Sequence, residues 1–140
     1  MKTIIVSALC SLVLAQPVMA QQSVFIGVPM FSEYVSGNGG QENAAGDFDS
    51  EFDSANSRIC YYLELNGVRN PIGLAIHRGE EGENGPQVVS LTLPNSPDEE
   101  TCVTVDGDLI AEMAGARDDF YIIVTTPGNS DGAIRGQLSH

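Results

Sequence analysis

Apolar and polar residues alternate over short stretches of this chain, and turn-forming residues separate the stretches. From Asp47 to Asp53 acidic residues occupy every second position, with Phe48, Ser50 and Phe52 between them. This period-two pattern predicts a strand with one acidic face and one apolar face. After the turn residues 54–57 the apolar segment 59–65 follows, so the two segments predict a hairpin.

Other short segments are rich in β-branched and aromatic residues and predict further strands. They span residues 24–31, 72–77, 88–93, 101–105, 120–126 and 133–138. Pro29 has no backbone N–H to donate, so we expect the first of these strands at a sheet edge. The Gly-, Pro- and Asn-containing segments 36–40, 79–86, 94–97 and 127–132 predict loops and turns.

One segment has helical spacing. Asp106 is a suitable N-cap, apolar residues follow at positions 109, 110 and 113, and Gly115 ends the pattern. Short strands, regular turns and a single helix predict an all-β fold, an antiparallel Greek-key-like β-sandwich or flattened barrel. A chain of 140 residues allows one domain. We expect an N-terminal edge strand and flexible loop over residues 21–46 and the main β domain over residues 47–140.

Residues 1–20 have the features of a secretory signal peptide. Lys2 precedes an apolar stretch over residues 4–14, and Ala20 completes a small-residue cleavage site before Gln21. A lipoprotein anchored through Cys10 is disfavoured, because Leu9 is a poor residue before a lipidated cysteine. The apolar stretch is too short to span a bilayer, where about 20 residues are needed. We therefore expect a secreted protein, or a periplasmic one in a bacterium.

Charge narrows the range of partners. Without residues 1–20 the chain has five arginines, no lysine and 19 acidic residues, so its formal net charge is −14. Binding to nucleic acid or to an anionic membrane requires clustered cations, so neither partner is expected. Tryptophan is absent, which disfavours a platform for stacking bases.

Two cysteines, Cys60 and Cys102, remain after removal of the signal peptide. An even pair in an exported chain predicts a disulfide. A redox or metal-thiolate pair is the alternative, and the absence of C-x-x-C spacing makes it less favoured.

Four segments, in order along the chain, resemble the chordin-type domain, CHRD. They are Ile59–Leu63, Ile76–Gly79 with Gly82–Pro86, Cys102–Val105 and Gly132–Leu138. The resemblance implies an extracellular β-rich module, and we expect a non-enzymatic binding or structural role with an extracellular protein or matrix partner. Family members often carry additional histidines where this chain has Ala75 and a residue near Thr125. Of these histidine positions, His77 is the one that this chain retains.

Metal binding is the alternative function. The loop carboxylates of Glu80, Glu81 and Glu83, with Asn84, provide oxygen atoms of the kind that calcium prefers. His77 is a candidate ligand of a degenerate transition-metal site, which needs three or four convergent ligands. The simpler interpretation is favoured, in which His77 donates a hydrogen bond to a carbonyl or carboxylate.

Two arginines lie in the most family-like segments. We expect Arg78 or Arg135, or both, to form buried or bidentate pairs with nearby acids, while recognition of an anionic ligand is the alternative. The acidic residues of 47–53 are expected to be a solvated face, because strand rise separates them too widely for one ion. Roles in a Ser/His/Asp triad cannot be assigned from the two histidines, His77 and the terminal His140. We therefore expect neither catalytic residues nor a cofactor.

Overall fold

The computed structural model describes residues 23–37 and 39–140, and the predicted signal peptide lies outside these residues. The described part of the chain forms eight strands and one α-helix. The strands are β1 (Ser23–Phe31), β2 (Ala45–Asp53), β3 (Arg58–Asn66), β4 (Gly73–Arg78), β5 (Gln87–Leu91), β6 (Thr101–Thr104), β7 (Phe120–Thr126) and β8 (Asn129–Gln137). The helix α1 spans Gly107–Gly115, and short 3-10 turns span Ser32–Tyr34 and Arg117–Asp119.

All eight strands belong to one antiparallel, nearly closed, barrel-like sheet. Their order is β5-β4-β7-β8-β1-β2-β3-β6, which leaves β5 and β6 as the edge strands. Tyr61 links the two ends of the sheet, because its hydroxyl donates to the Thr92 carbonyl oxygen at 2.6 Å and accepts from the Thr92 N–H at 2.8 Å. The predicted all-β antiparallel class is therefore confirmed in its barrel-like form.

The edge position predicted for the first strand is wrong. β1 lies between β8 and β2 in the sheet order. It pairs with β2 over all nine residues, from Ser23 opposite Asp53 to Phe31 opposite Ala45. Its register with β8 is a single pair, Phe31 with Arg135. Pro29 is tolerated inside the sheet because this ladder with β8 is confined to the end of β1.

The turn predicted over residues 127–132 is also shorter than expected. Thr126 pairs with Asn129, so only Pro127 and Gly128 connect β7 to β8. The Thr126 hydroxyl accepts a 3.1 Å hydrogen bond from the Asn129 N–H and fixes the turn. β8 consequently starts at Asn129, four residues before the predicted start at Ala133.

The interior of the barrel follows the predicted apolar positions. Its largest fully buried apolar side chains include Met30, Phe48, Phe52, Ile59, Tyr61, Ile76, Ile110, Met113, Phe120 and Ile122. The helix contributes Ile110 and Met113 to this core. The N-cap is confirmed, because the Asp106 carboxylate accepts from the backbone N–H groups of Asp108 at 2.9 Å and Leu109 at 3.2 Å. No helix in the described part of the chain is long and apolar enough to cross a membrane.

The acidic face of β2 is exposed at Asp47 and Asp49, as the alternation predicted, but Asp53 departs from it. Asp53 is buried, and its carboxylate accepts from both the backbone and the side-chain N–H groups of Asn56, at 3.1 and 2.7 Å. The Asn56 side-chain hydrogen bond is the main reason that the pKa of Asp53 is lowered. Asp53 therefore stabilises the β2–β3 turn and is not part of the solvated face.

Candidate functional site

The two most family-like segments meet on the outer face of β4, β7 and β8. The register places His77 opposite Tyr121, and Tyr121 opposite Gln137, in one cross-strand row. Arg135 lies in the neighbouring row, opposite Ile123. We call His77, Tyr121, Arg135 and Gln137 the Arg135 cluster. Residues 79–86, which we call the acidic loop, connect β4 to β5 and contact this cluster.

Arg135 binds the acidic loop through backbone oxygen atoms. Its side chain is among the largest fully buried ones, with a residue exposure of 1%. The guanidinium donates to the carbonyl oxygens of Glu83 at 2.7 Å and Glu80 at 2.8 Å. Three longer hydrogen bonds go to Ser36 Oγ, Asn84 Oδ1 and Gln137 Oε1, at 3.2, 3.4 and 3.4 Å.

The expected ion pair of Arg135 with an acid is therefore not formed, because carbonyl, hydroxyl and amide oxygens occupy its N–H groups. Burial lowers the pKa of Arg135, while Tyr121 and the charge of Glu81 oppose that shift. The side chain nevertheless remains a cation, since an arginine is not deprotonated in proteins. Arg135 thus places a buried positive charge under an acidic loop.

The other members of the cluster hold both ends of the loop. Gln137 Nε2 donates to the carbonyl oxygens of Gly79 and Asp118, each at 2.7 Å. The Tyr121 hydroxyl accepts from the Gly85 N–H at 3.1 Å. Gln137 therefore fixes the start of the loop, and Tyr121 fixes its end.

His77 adopts the simpler of its two predicted roles. Its Nδ1 lies 2.9 Å from the Gly85 carbonyl oxygen, within hydrogen-bond distance, and its ring stacks on Tyr121 with the centroids 5.2 Å apart. The neighbouring outer positions on β4 hold Ala75 and Gly73, which provide no ligand. His77 therefore contributes to loop anchoring.

Metal binding has no support in the structure. Among residues 23–37 and 39–140, no group of three or more His, Cys, Asp or Glu side chains is placed to hold a metal ion. The backbone oxygens of Glu80 and Glu83 are directed to Arg135, and Glu80, Glu81 and Glu83 are exposed. A cation at Arg135 also repels a bound metal ion. The described residues therefore give no support for a calcium site of the predicted kind in the acidic loop.

Arg78 forms the bidentate pair that its sequence context predicted. Its two terminal nitrogens donate to the Glu112 carboxylate at 2.6 and 3.1 Å, although both side chains are exposed. The guanidinium also lies 4.6 Å from the ring centroid of Phe120. Hydrogen bonding from Arg78 lowers the pKa of Glu112. This pair joins the end of β4 to α1.

The predicted disulfide between Cys60 and Cys102 is present. The two residues are direct cross-strand partners on β3 and β6, with a Cα–Cα distance of 4.0 Å. The bridge therefore ties an edge strand to the sheet.

A cavity of about 170 Å³ lies beside the cluster, lined by Tyr34, Glu81, Arg135, Gln137 and His140. Sites for drug-sized molecules usually enclose about 300 Å³ or more. The cavity is therefore suited to water molecules or a very small ligand.

A comparison with protein-family models identifies the domain, since the CHRD domain model matches residues 30–138. The chain belongs to the CHRD domain family. The match begins within β1, so the CHRD domain includes part of the segment that the sequence placed before residue 47. It also contains every member of the Arg135 cluster. Searches of curated proteins and of solved structures found no significant match.

Sequence reasoning missed three residues that hold the CHRD domain together. Gln137 lies inside the family-like segment Gly132–Leu138, and this location could have marked it as a candidate site residue. Tyr121 and Tyr61 lie in apolar strands, where the sequence gives no indication that a hydroxyl binds a distant backbone group. Their hydrogen bonds span 36 and 31 residues of chain.

Proposed function

We propose that this CHRD domain protein is a secreted, non-enzymatic module that acts by binding an extracellular protein or matrix partner. The main support is that three residues of the family-like segments, together with Tyr121, hold the acidic loop. Arg135, Gln137, Tyr121 and His77 all bind backbone groups of the acidic loop, at distances between 2.7 and 3.1 Å. Residues of this kind shape a surface loop, and loops on a rigid sheet are common binding elements.

A catalytic role has less support. A general base must reach the proton of a substrate with a free nitrogen or oxygen atom. In the cluster, the amide of Gln137 makes two short hydrogen bonds, and His77 Nδ1 faces a carbonyl oxygen, which leaves proton transfer to its Nε2 atom. The adjacent cavity of about 170 Å³ is small for a substrate.

Secretion rests on the signal peptide predicted over residues 1–20, and a disulfide and a CHRD domain are both consistent with it. The test is expression of the full chain in a secretion-competent host, followed by intact mass analysis of the medium. We expect a chain that begins at Gln21 and carries no free thiol at Cys60 or Cys102. An unprocessed chain retained in the cytoplasm would contradict secretion.

Binding is tested with the secreted protein immobilised as bait in extracellular fluid of the source organism. Each retained protein is then purified and titrated against the soluble CHRD domain protein by calorimetry. We expect at least one partner to bind with saturation. If none does, or if the purified domain turns over a substrate, the proposed binding role is wrong.

A further inference from the structure

The two halves of the barrel differ in what covers their outer faces. On β7 and β8 the outward-facing residues Tyr121, Ile123, Ala133, Arg135 and Gln137 are buried beneath loop segments. On β1, β2 and β3 the outward positions 25, 49 and 62 are exposed. Among the outward residues of these three strands, we call Phe25, Asp47, Asp49, Glu51, Tyr62 and Glu64 the β1–β3 face. Arg58 lies on the same side at the start of β3, where it pairs with Asp53 at 3.7 Å.

Two aromatic side chains are exposed on this face. Phe25 is 77% exposed on β1 and Tyr62 is 43% exposed on β3. By register Phe25 lies opposite Glu51, and Tyr62 lies opposite Asp49. With two strand spacings between β1 and β3 and one two-residue step along them, the two Cα atoms are about 12 Å apart. An uncovered part of the sheet, with two separated rings, is thus open to a partner.

Acidic side chains surround the two rings. Asp47 and Asp49 are exposed on β2, and Glu64 is exposed beside Tyr62 on β3. Asp49 leans towards β1, because a Cβ placed on Gly27 would lie 3.1 Å from its Oδ1 atom. Because Gly27 has no side chain, the Asp49 carboxylate lies over it, on the same face as Phe25.

These carboxylates have no counter-ion in the described part of the chain. The ion pairs there join Arg58 to Asp53 and Arg78 to Glu112. Arg135 is buried against the acidic loop, and Arg117 Nε donates to the Ala114 carbonyl oxygen. Negative charge on the β1–β3 face is thus left for an external cation to neutralise.

We propose that the β1–β3 face binds an arginine-rich segment of a partner protein. This inference rests on the proposed binding function and names the chemistry of its partner. A guanidinium stacks on aromatic rings and pairs with carboxylates in a bidentate manner, so one side-chain type satisfies both features of the face. An extended segment of about four residues spans the 12 Å between the rings. A second copy of this acidic face is repelled by its like charge.

The first experiment measures binding of a hexa-arginine peptide to the secreted protein by fluorescence anisotropy at low salt. We expect saturable binding that the double variant Asp47→Asn/Asp49→Asn weakens at least tenfold. Phe25→Ala is expected to weaken it at least fivefold. A hexa-lysine peptide is expected to bind several-fold more weakly than hexa-arginine, because its ammonium groups stack less well on rings.

Matched variants distinguish binding at the β1–β3 face from attraction of the peptide to the overall negative charge of the protein. Asp118→Asn/Asp131→Asn removes the same two charges at exposed positions outside the face, and Ile72→Ala removes another exposed apolar side chain, 65% exposed. We expect both to bind within twofold of the parent protein. Equal weakening by the charge-matched variant, or unchanged binding after Phe25→Ala, would overturn the proposed site. A calorimetrically validated partner that binds the Phe25→Ala variant normally would also overturn it, while leaving the binding function intact.

Discussion

The guanidinium carbon of Arg135 lies 3.5 Å from the ring centroid of Tyr121, which places a buried cation against an aromatic face. The same ring stacks on its other neighbour, His77. Three strands thus contribute one stack, and each member also reaches the acidic loop that leaves β4. The arrangement explains how a glycine-rich loop with three glutamates keeps a defined conformation.

Replacement of Arg135 tests this role. Arg135→Ala leaves the carbonyl oxygens of Glu80 and Glu83 without their donors and opens a cavity under the loop. We expect a loss of about 3 kcal/mol or more in the free energy of unfolding. For a domain of this size, that corresponds to a fall in Tm of roughly 10 °C. Differential scanning calorimetry measures both quantities.

Two further variants show whether the effect of Arg135→Ala depends on the guanidinium of Arg135 itself. Arg135→Lys keeps the charge but has one ammonium group for two carbonyl oxygens, so we expect it to lose most of the same stability. Arg69→Ala removes an exposed arginine and is expected to leave Tm within about 1 °C, since exposed substitutions usually change stability little. If Arg135→Ala melts like the parent protein, the cluster does not stabilise the fold.

Gly85 is required by the close approach of two backbone segments at the base of the loop. A Cβ on this residue would lie 1.7 Å from the carbonyl oxygen of Arg78, a backbone atom of a residue whose N–H donates to the Pro86 carbonyl oxygen at 3.0 Å. We expect Gly85→Ala to destabilise the protein by about 3 kcal/mol or to prevent folding. Gly128→Ala is the matched control, because nothing lies within 4 Å of its added Cβ. Comparable urea midpoints for the two variants would contradict the packing argument.

Alternating segments of the sequence predicted the fold well, and uniform segments did not. In residues 47–53 the acidic positions mark the outer side, so the buried positions Phe48 and Phe52 follow directly. Residues 24–31 form an uninterrupted apolar run, which does not indicate which alternate side chains face inward. The 77% exposure of Phe25 was therefore not predictable from sequence alone.

The sequence indicated the kind of partner that His77 and Arg78 bind, but not the partners of Arg135. A bidentate acid partner was expected for Arg78, and Glu112 provides it. Arg135 instead binds the carbonyl oxygens of residues 80 and 83. Every residue has such an oxygen, so the sequence carries no signal for this pairing. The position of β1 within the sheet likewise depends on its pairing with β8, which is distant in sequence.

The Arg78–Glu112 pair predicts a pH dependence. Its hydrogen bonds lower the pKa of Glu112 in the folded protein below the ordinary value of 4.5. The stabilisation is therefore present above pH 4.5 and is lost as the pH falls through the folded-state pKa. We expect Glu112→Gln to lower the urea midpoint at pH 7 and to differ less from the parent protein near pH 3. Because the pair is exposed, the effect at pH 7 is expected to be small.

A difference between parent and Glu112→Gln that persists unchanged to pH 3 would assign the stability to packing of the side chain. Asp108→Asn is unsuitable as a control, since Asp108 lies in the first turn of α1, where a negative charge favours the helix. Asp131 is exposed and lies outside the helix, so Asp131→Asn is the suitable control. It is expected to change the urea midpoint little at either pH.

The disulfide between Cys60 and Cys102 closes a chain segment with a sequence separation of 42 residues. For a loop of this length, the loss of unfolded-state entropy corresponds to a stabilisation of about 4 kcal/mol as an upper value. We expect Cys60→Ser/Cys102→Ser to lose up to this amount, measured by urea unfolding. The parent protein unfolded in a thiol reductant is expected to give the same midpoint, because the two residues are already direct strand partners and need no rearrangement. A double-serine variant as stable as the oxidised parent would show that the bridge does not stabilise the CHRD domain.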